Sequence, residues 1–229
     1  MEDTRRSFHQ QLDEVQADLI RLGALVQEAL ARGTEVLLNG DLRDAQAIID
    51  GDDVLDDLAL SVEDRCFHLL ATQQPMASDL RALVTAIRLS SEIERSGDLM
   101  VNVVKGARRI YGSTIDPRTR GLIQQLSEEA ARLYGLAMDA YADGDDAVAA
   151  ALDDMDDSLD QLHRDYIAQI LESCRAGNLD VQAAVQLALI GRYYERIGDH
   201  AVNVGERIRY MVSGWLPTPP ALPAAGAPA

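Results

Sequence analysis

The stretch 94–103, ERSGDLMVNV, returns at 195–204 as ERIGDHAVNV, 101 residues further on. Upstream of it, Gly40-Asp41, Asp52-Asp53-x-Leu55-Asp56 and Leu58 return 104 residues on as Gly144-Asp145, Asp156-Asp157-x-Leu159-Asp160 and Leu162. Two blocks that repeat in the same order mark an internal duplication. The difference between the two offsets falls in the turn between the blocks, where changes of length are tolerated.

The repeating unit is helical. Phe8, Leu12, Val15, Leu19, Leu22, Val26, Ala29, Gly33 and Val36 step by fours and threes, a heptad seam far longer than strand alternation would give. Asn39-Gly40 breaks it, and Asp41 is placed to cap a second helix reaching about Thr72. Pro75 stops that helix, and Ser78 or Asp79 is expected to cap a third, ending near Gly112. Asp116-Pro117 is an N-cap followed by proline at the first helical position, opening a fourth helix that ends at 142–144. A fifth runs from about Asp145 to Arg175, Gly177-Asn178 ends it, and a sixth continues to about Ser213. The expected fold is all-α: two tandem three-helix bundles, six long helices, with bundles at 1–112 and 113–213 and a disordered Pro/Ala tail at 214–229.

Composition narrows the function. The formal net charge of −17 repels a phosphate backbone, which argues against direct nucleic-acid binding and favours metal cations or basic protein surfaces. An aromatic content of 4% is too low for an all-β sandwich or barrel. Cys66 and Cys174 lack Cys-x-x-Cys spacing and read as reduced core thiols. The first residues hold no apolar signal region, and the long uncharged run at 210–229 holds five of the seven prolines, so neither is a membrane segment. The expectation is a soluble, cytoplasmic protein that meets the membrane only through partners.

The chemistry lies in acid-x-x-x-Asp pairs, two in each half: Asp52/Asp56 with Glu94/Asp98, and Asp156/Asp160 with Glu195/Asp199. A spacing of four puts both members on one helix face, one turn apart. In an antiparallel hairpin, residues equidistant from the turn are level. Asp52 with Asp98 and Asp56 with Glu94 both centre on Pro75, while Asp156 with Asp199 and Asp160 with Glu195 centre between Gly177 and Asn178. Each hairpin should therefore present four carboxylates at one height, in a surface groove open to solvent on one side. Like charges at this spacing repel, and Asp is a poor helix-interior residue, so the arrangement asks for a counter-cation. Glu94 and Asp98 moreover share a stripe with Leu80, Leu83, Ile87 and Val101, where unpaired charge is costly.

A rival phase, Asp53/Asp57, is disfavoured because Asp57 aligns with Gln161. Asn102 and Asn203, one turn past Asp98 and Asp199, either lend an amide oxygen or make an interhelical hydrogen bond, and spacing does not separate the two. Arg95 and Arg196 face away from the acids. His163 has no counterpart in the first half and reads as a surface residue. An all-oxygen site suits Mg²⁺, Ca²⁺, Mn²⁺ or ferric iron, with zinc less favoured by ligand type.

The run 71–81, ATQQPMASDLR, followed by Glu94-Arg95-Ser96-Gly97-Asp98 and then by Glu195-Arg196-Ile197-Gly198-Asp199-His200-Ala201-Val202-Asn203, resembles the PhoU family of phosphate-uptake regulators across about residues 5–212. The resemblance implies multinuclear iron or zinc clusters on the acid-x-x-x-Asp motifs. It also implies a membrane-associated adaptor between the ATPase subunit of a phosphate ABC transporter and a phosphate-sensing histidine kinase, repressing the phosphate-starvation response. A homodimer is expected, and the lack of an activated nucleophile, a His-centred constellation or a Gly-rich phosphate loop argues against catalysis. Ser96 stands where the family usually has Ile, and Leu99 where it has His. One lysine, Lys105, among 21 Lys and Arg fits a high-GC genome such as an actinobacterium's.

Two other classes compete. A ferritin-like di-metal enzyme needs Glu-x-x-His on two helices, and no Glu-x-x-His occurs. A helical scaffold without metal would use the acids as a solvated face. The leucine stripes Leu25, Leu30, Leu37 and Leu122, Leu126, Leu133 suit bundle-to-bundle packing or dimerisation equally.

Overall fold

A computed structural model describes residues 2–216, with side chains from residue 5. The described residues form six helices and no strand: α1 (Glu2–Asn39), α2 (Leu42–Gln73), α3 (Ser78–Arg109), α4 (Pro117–Asp143), α5 (Asp146–Arg175) and α6 (Val181–Ser213). The expectation for the tail falls mainly on 217–229, outside the described residues.

Asp41, Asp116 and Asp145 cap α2, α4 and α5 by accepting from backbone N–H groups two and three residues on, satisfying donors that the first turn leaves free. Asp180 does the same for α6 through Ala183 N–H. The start of α3 departs from expectation. Neither Ser78 nor Asp79 caps it: the residue before the helix is Ala77, at φ +51°, with no side-chain cap. The turn reverses through two left-handed residues, Gln74 and Ala77, so the helix begins one residue earlier than a Ser cap requires. Backbone carbonyls of Met76 and Ala77 take the Asp79 and Arg81 N–H groups instead.

Helices α1–α3 pack together as one three-helix unit and α4–α6 as another, joined through α1 against α4 and α3 against α6. Both joints are antiparallel. Gln16 Nε2 donates to the Ala142 carbonyl at 3.2 Å while Arg120 Nη1 donates to the Leu38 carbonyl at 2.6 Å. Across the other joint, Arg81 Nε donates to the Met211 carbonyl at 3.1 Å and Arg109 Nη1 to Gln186 Oε1 at 3.3 Å. The two hairpin turns, at 74–77 and 176–180, therefore lie at opposite ends of the molecule.

Burial runs through the joint without a break, and Leu19, Leu22, Val26 and Leu30 of α1 share one core with Ile123, Leu126, Leu133 and Tyr134 of α4. The leucine stripes are spent here: Leu30, Leu37, Leu126 and Leu133 are buried, with Leu25 and Leu122 partly so. Cys66 is a free, buried thiol whose burial pushes its pKa up to about 12, and Cys174 is free and half-buried.

Two polar nodes pin the joint. Thr34 Oγ1 lies 2.7 Å from both Ser127 Oγ and Tyr194 OH, linking α1, α4 and α6. Glu92 of α3 meets α6, with His200 Nδ1 2.6 Å from Glu92 Oε2 and Asn203 Nδ2 donating to the same oxygen at 3.2 Å. Burial raises the Glu92 pKa, but the hydrogen bonds from His200 and Asn203 outweigh it and hold the carboxyl below its usual range.

Removing one partner of such an enclosed pair leaves the other without compensation. His200→Leu should destabilise the protein by about 3–5 kcal/mol in urea unfolding, and Glu92→Leu/His200→Leu should recover most of that loss. Additive losses from the two changes would contradict the pairing.

Candidate metal centres

The hairpin α2–α3 brings Asp52, Asp56, Glu94 and Asp98 into one another's field. Asp52 is half-buried, and its pKa is pushed up to about 6 from an ordinary 3.8, first by burial and then by the charges of Asp56 and Asp98. Glu94 and Asp56 are raised in the same way: burial leads, followed in each case by the charge of Asp98. Asp53 and Asp57, the rival phase, are exposed, as are Asp56 and Asp98 of the favoured set. A groove of about 250 Å³ opens beside Asp52, between Leu25, Ile48, Leu55, Gly97 and Val101.

The hairpin α5–α6 repeats this around Asp156, Asp160, Glu195 and Asp199. Asp156 is pushed up to about 6, by burial and then by the charges of Asp199 and Asp160. Packing is tighter here. A Cβ on Gly198 would fall on Asp156 Oδ1 and 2.5 Å from Leu159 Cδ2, whereas a Cβ on Gly97 would lie 3.7 Å from Asp52 Oδ1 and 3.0 Å from Leu55 Cδ1. Glycine inside these helices is what allows the neighbouring acid-bearing helix to come so close.

Charge coupling thus links Asp52, Asp56, Glu94 and Asp98 across the first hairpin, and Asp156, Asp160 and Asp199 across the second. Among the described residues, however, no three His, Cys, Asp or Glu side chains already converge as a metal centre. The donor set fits a hard cation: oxygen ligands from two helices, with Asp156 Oδ1 and Glu195 Oε2 both enclosed and without a hydrogen-bond partner.

Asn203 makes the interhelical hydrogen bond, to Glu92, and Asn102 is half-buried. Arg95 faces away from the acids and approaches Glu92 at 3.9 Å.

Three residues escape the sequence reading. Arg192 pairs with Glu195 and reaches within 3.8 Å of Asp199 Oδ2. Its spacing of three and seven residues from those acids was a legible signal of a shared face. Glu92 gives no local signal, because its partners lie on the other repeat. His163, expected at the surface, is half-buried beside Gly191, with Nε2 enclosed and unpartnered. Burial, then the charge of Arg192, holds its pKa below the usual histidine range.

An all-α tandem duplication carrying acid-x-x-x-Asp pairs on facing helices of each repeat defines a narrow class. The PhoU domain model matches residues 19–107 and 123–208, one match in each repeat, and the chain belongs to the PhoU family. It is 34% identical over 215 residues to the phosphate-specific transport system accessory protein PhoU homolog 1 of Mycobacterium tuberculosis, covering 93% of this chain and 96% of that one. The PhoU homolog of Rhizobium meliloti is 29% identical over 211 residues, covering 92% and 89%. The crystal structure of PhoU from Pseudomonas aeruginosa superposes with a TM-score of 0.84 at 25% identity, over 91% of this chain and 100% of that one.

Gly198→Ala should cost about 1–3 kcal/mol, because the added methyl meets Asp156 and Leu159 together. Gly97→Ala, where the end of Leu55 can give way, should cost less; equal losses in denaturant unfolding would contradict the tighter second hairpin.

The raised carboxyl groups also set a pH dependence. A carboxyl held at about 6 when folded and near 3.8 when unfolded contributes stability that is complete below the lower value and lost as pH rises through the upper one. Metal-free Asp52→Asn/Asp156→Asn should therefore be more stable than the parent chain at about pH 7, with the gap closing towards about pH 4. A gap independent of pH would contradict the crowding.

Proposed function

We propose that this chain is a cytoplasmic adaptor, linking the ATPase subunit of a phosphate ABC transporter to a phosphate-sensing histidine kinase and holding the phosphate-starvation response off when phosphate is plentiful. At the coarser level the chain is a PhoU-like regulator of phosphate-specific transport, an accessory protein and not an enzyme. No helix among the described residues is long and apolar enough to cross a membrane, which suits attachment through partners. The bundles span 1–112 and 113–213.

The observation that carries this reading is the family match in both repeats, and the charge coupling of acids across each hairpin supports it. Asp52, Asp56, Glu94 and Asp98 would hold cations in the first repeat, and Asp156, Asp160, Glu195 and Asp199 in the second. Bound cations supply positive charge that neutralises the acids and ties α2 to α3 and α5 to α6. Iron or zinc follows from the family, magnesium or manganese from the ligand type. Fixing the helix pairs shapes the surfaces that partners read. Apolar side chains stand exposed at the hairpin ends, Phe67 and Met76 in one repeat and Leu171 and Val181 in the other. These ends are where we place the transporter, the kinase and the second copy of a homodimer.

Elemental analysis of protein purified without chelator should find several metal ions per chain. Glu94→Gln/Asp98→Asn and Glu195→Gln/Asp199→Asn should each lose only the share of their own repeat. In a strain lacking the gene, a phosphate-starvation reporter should be on in high phosphate. The parent chain should silence it, and the chain carrying all four substitutions together should not. Full silencing by a protein that retains no metal would contradict the role of the sites.

A further inference from the structure

The two repeats carry matching acids but differ in what neutralises them. In the second, Arg192 stands one turn before Glu195, pairs with it, and brings Nη2 within 3.8 Å of Asp199 Oδ2. The equivalent position in the first repeat, 101 residues earlier, is Ser91. Among the described residues no guanidinium there is paired with Glu94 or Asp98: Arg32, which lines the groove beside Asp52, is paired with Glu28 and Asp44, and Arg95 acts on Glu94 by charge alone. Arg95 approaches Glu92 on the far side of α3, at 3.9 Å, and the cation that acts on Asp52 is Lys105, two turns beyond Asp98. The hairpins differ in the same sense: the first leaves a groove beside Asp52, while in the second Asp156 is pressed against Gly198.

A guanidinium is a permanent cation with donors in a rigid fork, so it occupies carboxylates as a metal ion would, but more weakly. It also sits on a long stem. The Arg192 side chain is 49% exposed, so its head can move into water without breaking the core.

We propose that Arg192 is a built-in counter-ion of the α5–α6 site, so that a metal ion enters the α2–α3 site directly but must displace Arg192 from Glu195 and Asp199 to enter the second. This rests on the reading of the acid motifs as cation sites. The first repeat then fills at lower metal concentration than the second. The second reports whether metal has risen far enough to expel its arginine, and only there does binding release a side chain to the surface.

Manganese titration, read by the electron paramagnetic resonance signal of the free ion, tests this. On the otherwise unaltered chain two classes of site are expected, and Arg192→Gln should tighten the weaker class by about tenfold or more. In the Glu94→Gln/Asp98→Asn background, which leaves only the second site, the same change should tighten binding by a similar factor. Ser91→Arg should weaken the first site in the Glu195→Gln/Asp199→Asn background. Thermal unfolding adds a readout that a purely structural arginine would not give: Arg192→Gln should lower Tm without manganese, and saturating manganese should remove the deficit. Affinities unchanged by Arg192→Gln, or a Tm deficit that persists with manganese, would overturn the proposal while leaving the sites in place. No manganese bound by the unaltered chain would overturn both this proposal and the reading it rests on.

Discussion

Carboxylates held at one level of a helical hairpin repel one another, and the rest of this structure is arranged around that repulsion. On each hairpin acids of both helices lie in one another's field, and burial together with mutual charge drives Asp52 and Asp156 up to about 6. Such a cluster would splay the helices if packing did not oppose it. Leu55 and Leu159 on the acid-bearing helices supply that opposition, seated over the bare backbones of Gly97 and Gly198. The apolar contact holds the acids in reach of one another and leaves neutralisation to a cation, from outside or from Arg192.

Helices α3 and α6 tie the two clusters together. Each carries acids on the face towards its own hairpin partner and core residues towards the other repeat. Glu92 and Glu94 of α3 are two residues apart, about 200° around the helix, so one serves the joint and the other the first cluster. On α6, Asp199 and His200 divide the same work. The Glu92–His200 contact therefore lies on the faces of α3 and α6 turned towards the other repeat. The duplication supplies the symmetry; Arg192, Ser91 and the pair at the joint are where the repeats cease to be equivalent.

Much of this was legible in the sequence, because local periodicity and level register decide it. The six helices and the caps at Asp41 and Asp116 follow from spacing and from turns at Pro75 and Gly177. Arg192 was legible too, in its three- and seven-residue spacing from Glu195 and Asp199, but the search for metal ligands favours acids over the base beside them. Other features were not. Glu92 finds His200 108 residues away, and no local pattern encodes that meeting. The start of α3 follows a left-handed Ala77, a conformation that alanine rarely adopts and that propensity does not suggest. The leucine stripes of α1 and α4 were visible as apolar faces, yet only the packed chain shows them facing each other.

The central claim is that each hairpin binds cations between its two acid-bearing helices. Anomalous diffraction from crystals grown with manganese tests it most directly. The account predicts peaks in two places, one among Asp52, Asp56, Glu94 and Asp98 and one among Asp156, Asp160, Glu195 and Asp199, with the guanidinium of Arg192 moved off Glu195 where the second is occupied. Manganese confined to the surface, with both clusters empty and Arg192 still on Glu195, would contradict it.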